Sequence, residues 1–483
     1  MGFPYPEIFR IIWTQRNLLW VFLIGALQVS TAQEGNYKFE NFGNQSVLLS
    51  GNVTGSVADL GLVFHNPARL GLIDNPSFTI GGKAYEWSKY DFNDILQTEK
   101  SLSANRFGGI PATIAGTFDL KFLPGHKFAY SILSRYRTDV QLNYNSGLIP
   151  DEEFAEVPDA EESFTDLYFR DRIRDDWFGI TWSYPISETF SVGASLFGSI
   201  CEHNGNGDIL INVQRESMDV ISYTQRLDYT QKTYGGQIKL GAAWVLKNLD
   251  MGVNVSLPLI AVKKRASFRY QESLSGFSTN QDFLRALDYG DLESRRKTAT
   301  SISYGIGIPW KKHKLHLSLD WHAPIAKYDR IELPEEALDN LDENPFKEQL
   351  KAVFNFGMGG EFHISPSLNV IASFSSDFSA TEESINLFDI INQSTEDINL
   401  LNDLWHYALG VDLTRPWGNI ILGASYARTS SKIESTPIIP TDPSTPQTRG
   451  ITTQISYERW RFIVGLEIPL LLEKVKDIPI PIR

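Results

Sequence analysis

From Ser77 onward the chain keeps returning to one pattern: runs of about ten residues with apolar side chains at every second position and small or polar ones between. Leu315, Leu317, Leu319 and Trp321 interleave with His316, Ser318, Asp320 and His322. Phe190, Val192, Ala194 and Leu196 repeat the pattern, as do Met251, Val253, Val255 and Leu257, and Tyr407, Leu409, Val411 and Leu413. Successive strand side chains point to opposite faces, so each run has one greasy face and one small, polar face. A soluble sandwich has such strands too, with the greasy face inward. Three features favour a membrane barrel instead: connections alternate between tight and long, aromatics cluster near run ends, and the polar face is rich in Gly, Ser, Asn and charge, as a lumen should be.

The tight connections fall near 124–125, 186–189, 247–248, 310–312, 365–366 and 416–417; the long ones near 88–110, 144–174, 204–232, 262–297, 330–350, 380–402 and 432–448. Short periplasmic turns and long outer loops are the expected asymmetry. Trp87, Trp177, Trp182, Trp244, Trp310, Trp321, Trp405, Trp417 and Trp460 are candidates for the interfacial girdles. In the last segment the outward phase is Ile451, Thr453, Ile455, Tyr457 and then Phe462, Val464, Leu466, Ile468, which means a turn or a one-residue bulge near 458–461. The bulge gives one long strand and an even number, so the fold expected is all-β: a transmembrane antiparallel β-barrel of about 14 strands over residues 77–470.

Before the barrel, Arg10 and Arg16 precede an apolar run from Leu18 to Leu27 and the small residues Ser30-Thr31-Ala32. This reads as a secretory signal over residues 1–32, cleaved after Ala32. The following stretch has too many glycines and too little period for a strand or long helix, yet it carries Val47, Leu48, Leu49, Leu60, Leu62 and Val63, so it belongs inside something. It also carries Asn66-Pro67-Ala68, a turn signal about ten residues before the first barrel strand.

An Asn-Pro-Ala segment ahead of a barrel resembles the FadL/TodX-like family of outer-membrane transporters for hydrophobic compounds, whose N-terminal hatch plugs the lumen. The resemblance implies a hatch over residues 33–76 and residence in the outer membrane of a Gram-negative bacterium. It also implies passive uptake of apolar molecules such as long-chain fatty acids. Ligand would enter from the outer loops, bind an apolar pocket near the hatch and leave when the hatch moves, often sideways through the wall. Asn66, Pro67 and Ala68 are the positions that carry over. Members usually end on a terminal aromatic, whereas this chain adds a tail, residues 471–483, which bears on how it engages the barrel assembly machinery. A related group of FadL-fold barrels serves as carriers or scaffolds for secreted proteins, and this is the alternative reading.

Three outer loops read as amphipathic helices: 280–289 with Phe283, Leu284 and Leu287; 334–350; and 382–401 with Leu387, Phe388, Ile390 and Ile391. These apolar side chains either capture a hydrophobic ligand at the barrel mouth or pack the loops on one another as a cap over the barrel. The acidic run from Asp151 to Asp166, followed by Arg170, Arg172 and Arg174, reads as a loop facing lipopolysaccharide, without the ligand spacing of a calcium loop.

The chain has 58 acidic against 44 basic residues, a net charge of -14, which argues against nucleic acid. The single Cys201 rules out an internal disulfide or a cysteine zinc cluster. Ser318 beside His316 and His322 is the nearest approach to a catalytic set, and lumen lining explains it better. Without a Gly-x-Ser-x-Gly elbow, a His-Glu-x-x-His or a phosphate loop, no enzyme, metal or cofactor is expected.

Overall fold

The computed structural model describes residues 35–73, 77–93, 102–150, 157, 159–277, 281–338, 344–384, 402–434 and 452–469. The expected signal segment and the 471–483 tail lie outside them. The strands are β1 (Ser77–Asn93), β2 (Leu102–Phe118), β3 (Lys127–Pro150), β4 (Ala160–Ser187), β5 (Phe190–Arg215), β6 (Val220–Leu246), β7 (Leu249–Ser256), β8 (Ile260–Ser275), β9 (Phe283–Leu292) and β10 (Ser301–Trp310). They continue as β11 (His313–His322), β12 (Ile325–Asp329), β13 (Lys347–Leu350), β14 (Val353–Ser365), β15 (Leu368–Asp377), β16 (Thr381–Ser384), β17 (Leu404–Arg415), β18 (Gly418–Glu434) and β19 (Thr452–Pro469).

Fourteen of these close an antiparallel barrel in the order β1 to β7, β10, β11, β14, β15, β17, β18, β19 and back to β1. The closing pair runs from Ser77 opposite Pro469 to Asn93 opposite Gln454. The β8–β9 hairpin continues the sheet on the upper edge of β6, and β12, β13 and β16 form a separate small sheet. The six tight connections stand where the sequence places them.

Several expected long loops are strand instead. β4 has 28 residues and β6 has 27, against the roughly 9–11 that cross a bilayer. The reason appears along β6, where the outward side chains change character partway. Ile238, Leu240, Ala242, Trp244 and Leu246 face out in the half near the short turns, whereas Arg226, Asp228, Thr230 and Lys232 face out above Tyr234. Inward positions change the opposite way: Ile221, Tyr223, Leu227 and Tyr229 are buried in the upper half, where they join Leu142, Phe169, Ile209, Ile211 and Phe268 in one apolar core. Lipid surrounds the lower half and water the upper, so the same strand is greasy-out below and greasy-in above.

This inversion corrects four expectations. Residues 204–232 are a hairpin of β5 and β6 turning at 216–219, not a long loop. The 280–289 stretch is strand, with Phe283 and Leu287 packed on the apolar core and Leu284 exposed on the other face. Arg170, Arg172 and Arg174 lie on β4. In β19 there is no bulge: its register with β18 runs unbroken from Glu467 to Thr452, and Tyr457 faces inward. The apparent phase switch there is the boundary between lipid and water. One long strand and the even count of fourteen stand. Of the other expected loop helices, 334–350 contains only the short helix Glu335–Leu338 and then β13, while 381–384 is β16. Leu387, Phe388, Ile390 and Ile391 lie outside the described residues.

Candidate functional site: an inner segment and a cationic cavity

Residues 35–73 lie inside the barrel as turns, two single-turn helices (Gln45–Leu48 and Leu62–His65) and a 3-10 helix (Pro67–Leu72). Their apolar side chains, including Phe42, Leu48, Leu49, Val53, Val57 and Val63, form a core with wall residues Leu133, Phe197, Ile371, Ile421 and Ile463. Asp59 staples the first half together: its carboxylate accepts from Asn44 N at 2.7 Å, Ser46 N at 2.9 Å, Ser46 Oγ at 2.7 Å and Gly61 N at 2.9 Å. Burial raises its pKa in spite of these donors.

Asn66 does three jobs. Its Oδ1 accepts from Ala68 N at 3.1 Å, capping the 3-10 helix with Pro67 at the first position, where a missing N–H costs nothing. Its Nδ2 donates to Thr54 O at 2.8 Å and to Ala242 O of β6 at 3.1 Å. The motif can come this close because the wall here is glycine: a Cβ at Gly241 would stand 2.2 Å from Asn66 Oδ1, and one at Gly193 would stand 2.6 Å from the Pro67 carbonyl carbon. Wall hydroxyls meet the inner backbone elsewhere, with Ser195 Oγ on Val63 O at 2.7 Å and Ser373 Oγ on Leu48 O at 2.7 Å.

The first residues of the segment are held by charge. Lys38 Nζ stands 2.7 Å from Asp320 Oδ2 on β11, and Lys38 N donates to Asp377 Oδ1 at 2.9 Å. Arg461 of β19 bridges Glu40 at 2.5 Å and Glu86 at 2.7 Å, while the Arg459 guanidinium sits 3.7 Å from the centre of the Phe39 ring. The serine and histidines weighed for catalysis are spent here: Ser318 Oγ donates to Asn52 Oδ1 at 2.8 Å, His316 Nδ1 is 2.6 Å from Ser56 Oγ, and His322 stacks on Tyr37.

Above the inner segment is a cavity of about 100 Å³, enough for a few waters or the head of a small ligand. Phe64, His65 and Tyr37 line it from below, Arg135 of β3, Trp177 of β4 and Lys239 of β6 from the wall, and Arg296 from the crossing segment 293–300. The lining is therefore mixed, not the apolar pocket expected. Lys239 is 7% exposed, and its Nζ lies 3.6 Å from the Phe64 ring centre with no carboxylate in ion-pair reach among the described residues. Arg135 also stands over Phe64 and Trp177, at 5.4 and 5.8 Å. His65 Nε2 is buried without a hydrogen-bond partner among the described residues, and burial, reinforced by the Lys239 charge, lowers its pKa to about 3. Arg296 Nη2 reaches the fully buried Asp175 at 2.6 Å, which also accepts from Trp177 Nε1 at 2.9 Å. Trp177, expected in the girdle, thus faces inward; Trp182, five positions on, takes the opposite face of the strand.

The wall has two weak seams at this level. β2 pairs with β3 only from Thr113 opposite Leu133 to Phe118 opposite Phe128, although both strands continue outward. Pro111 on β2 has no N–H to donate, and across the seam a bulge on β3 after Ser134 turns Arg135 inward. The second seam follows Ser256, which is paired on both sides. Beyond Pro258 the chain resumes as β8, which pairs onward with β9 instead of β10. Segment 293–300 turns inward behind this seam, held by Arg296, by Thr298 Oγ1 accepting from Leu259 N at 2.8 Å, and by Arg295 N on Arg330 O at 2.7 Å.

Of the residues singled out from sequence, Asn66, Pro67 and Ala68 border the inner segment's wall contact, and Phe283 and Leu287 belong to the outer core. Lys239 and Arg135 were missed. The available signal for Lys239 was a lysine in the lumen phase between Ile238 and Leu240, a charge at membrane depth.

A closed fourteen-stranded barrel, with an apolar outward belt and its own N-terminal segment folded into the lumen, is an occluded membrane barrel of outer-membrane type. Its fold is that of the FadL-type barrels. A Pseudomonas aeruginosa FadL homologue superposes with a TM-score of 0.58 at 10% identity, covering 90% of this chain and 99% of that one. The Pseudomonas putida toluene transporter TodX superposes at 0.56 with 12% identity, covering 89% and 99%. No protein-family model matches the sequence, and no curated protein matches it.

Proposed function

We propose that this barrel is an outer-membrane channel for passive uptake of hydrophobic compounds carrying an acidic head, long-chain fatty acids among them. The observation that carries the reading is Lys239: a buried ammonium against the Phe64 ring, with no carboxylate in ion-pair reach among the described residues, is costly at the edge of a cavity unless an anion visits it. Ligand enters through the apolar outer core, sets its carboxylate against Lys239 and Arg135, and leaves when residues 43–70 shift as a hatch. The β2–β3 seam, beside Arg135, is the proposed sideways exit to the membrane.

The test is equilibrium binding of a sixteen-carbon fatty acid and of the alcohol of equal length to the purified barrel and to Lys239→Met. The acid should bind the native protein at least about tenfold tighter than the alcohol, and the substitution should abolish that preference. Equal binding of acid and alcohol by the native protein would overturn the acidic-head reading.

One observation favours the alternative of a carrier or scaffold for secreted proteins: strands of up to 28 residues raise the wall far beyond what small-molecule passage needs. Stable recovery of exported proteins with a barrel empty of lipid would move the reading there.

A further inference from the structure

On the outer surface of the wall, where β17 and β18 leave the apolar belt, a groove of about 870 Å³ opens beneath the ends of β13 and β16. Its floor is aromatic. Trp405 and Tyr407 on β17 lie beside Arg428 and Tyr426 on β18, and Leu409 and Leu422 continue the belt below them, both exposed to lipid. Its rim is polar, with Lys351 and Arg428 as the cations and hydroxyls from Ser379, Thr381 and Ser430.

The acids at this rim are already engaged. Glu382 accepts from Gln349 Nε2 at 3.0 Å and Asp403 from the Ser379 amide at 2.9 Å. Glu458 accepts from Tyr426 OH at 3.3 Å and lies 3.7 Å from Arg428 Nε, a long contact that uses little of the guanidinium's five-donor capacity. Lys351 has no carboxylate partner among the described residues. From bilayer core to water, then, the groove runs aliphatic, aromatic, cationic, hydroxylic. That order matches a lipid whose chains end in a phosphorylated sugar, and Trp and Tyr at the boundary are the usual headgroup-level side chains.

We propose that this groove holds the phosphorylated disaccharide head of lipid A. Its phosphate would meet Lys351 and Arg428, its sugar hydroxyls Ser379 and Thr381, and its chains the Trp405–Tyr407–Tyr426 shelf. Two features favour lipid A over a glycerophospholipid: the groove is large enough for a disaccharide, and it faces the leaflet at the long-strand end, which is the outer one. The inference is independent of what the lumen carries.

The experiment uses the full chain reconstituted in nanodiscs containing a trace of lipid A or, separately, of phosphatidylglycerol, with bound lipid counted by native mass spectrometry. The native barrel should retain lipid A preferentially. Lys351→Glu with Arg428→Glu should lower that retention at least about tenfold, while Lys311→Glu at the opposite, short-turn end should not. Heat-shifted gel migration confirms that each variant is a folded barrel, and should the double variant fail to fold, Lys351→Glu alone serves. Unchanged retention in the folded variant, no retention by the native protein, or equal retention of phosphatidylglycerol would each overturn the proposal.

Discussion

Asn66 shows how much one side chain can carry when three backbone groups compete for it. Replacing it by alanine removes the cap on Ala68 N and the side-chain donor shared by Thr54 O and Ala242 O. Each net hydrogen bond contributes about 1 kcal/mol, so Asn66→Ala should loosen residues 45–72 by roughly 2–3 kcal/mol without unfolding the wall. Amide exchange over that stretch should accelerate by about thirtyfold or more, with β4 and β5 unchanged; equal protection in both proteins would refute the clamp. Gly241→Ala should act in the same direction, because its Cβ would collide with Asn66 Oδ1. At this scale the sequence was only half legible. Asn66-Pro67-Ala68 could be seen because three adjacent residues carry a local turn chemistry. Lys239 could not be ranked above other lumen polar residues, because its meaning depends on Phe64, 175 positions away, lying against it with no acid in ion-pair reach among the described residues.

The strands were legible in number and direction but not in length, and the reason is physical. Alternation identifies a strand only while one side of it stays greasy, and here the greasy side changes as the strand passes from lipid into water. Runs such as 204–232 therefore look aperiodic when read as one pattern, and Phe283, Leu284 and Leu287 look helical when only their spacing is weighed. The inversion can be checked by single cysteines in a Cys201→Ser background, Cys201 itself being buried. In whole membranes, Arg226→Cys should react with a charged, membrane-impermeant maleimide, whereas Leu240→Cys, fourteen residues further along the same strand, should not. Labelling of both, or of Leu240→Cys alone, would show that β6 sits at another depth. The signal segment and the tail rest on sequence alone.

For the molecule as a whole, two parts of the chain lie across the lumen and touch the wall through different chemistry, and the proposed function makes both of them closures. The lower closure, residues 35–73, rests on an apolar core, glycine contacts and the Lys38–Asp320 and Glu40–Arg461 pairs. The upper closure, segment 293–300, is tied across the lumen chiefly by Arg296 on Asp175, both buried. Taking one partner from a buried ion pair leaves the other charge stranded and costs about 3–5 kcal/mol, so Arg296→Ala should free the upper segment selectively. Two closures in series do not add: the path conducts only when both are open. Deleting residues 43–70 should therefore raise leak conductance in planar bilayers modestly, Arg296→Ala should raise it little, and the two together should raise it by far more than the sum of the separate changes. If the deletion alone already gave the conductance of the combined variant, segment 293–300 would be no barrier, and its ion pair would serve only to brace β4 and β5 beside the second seam.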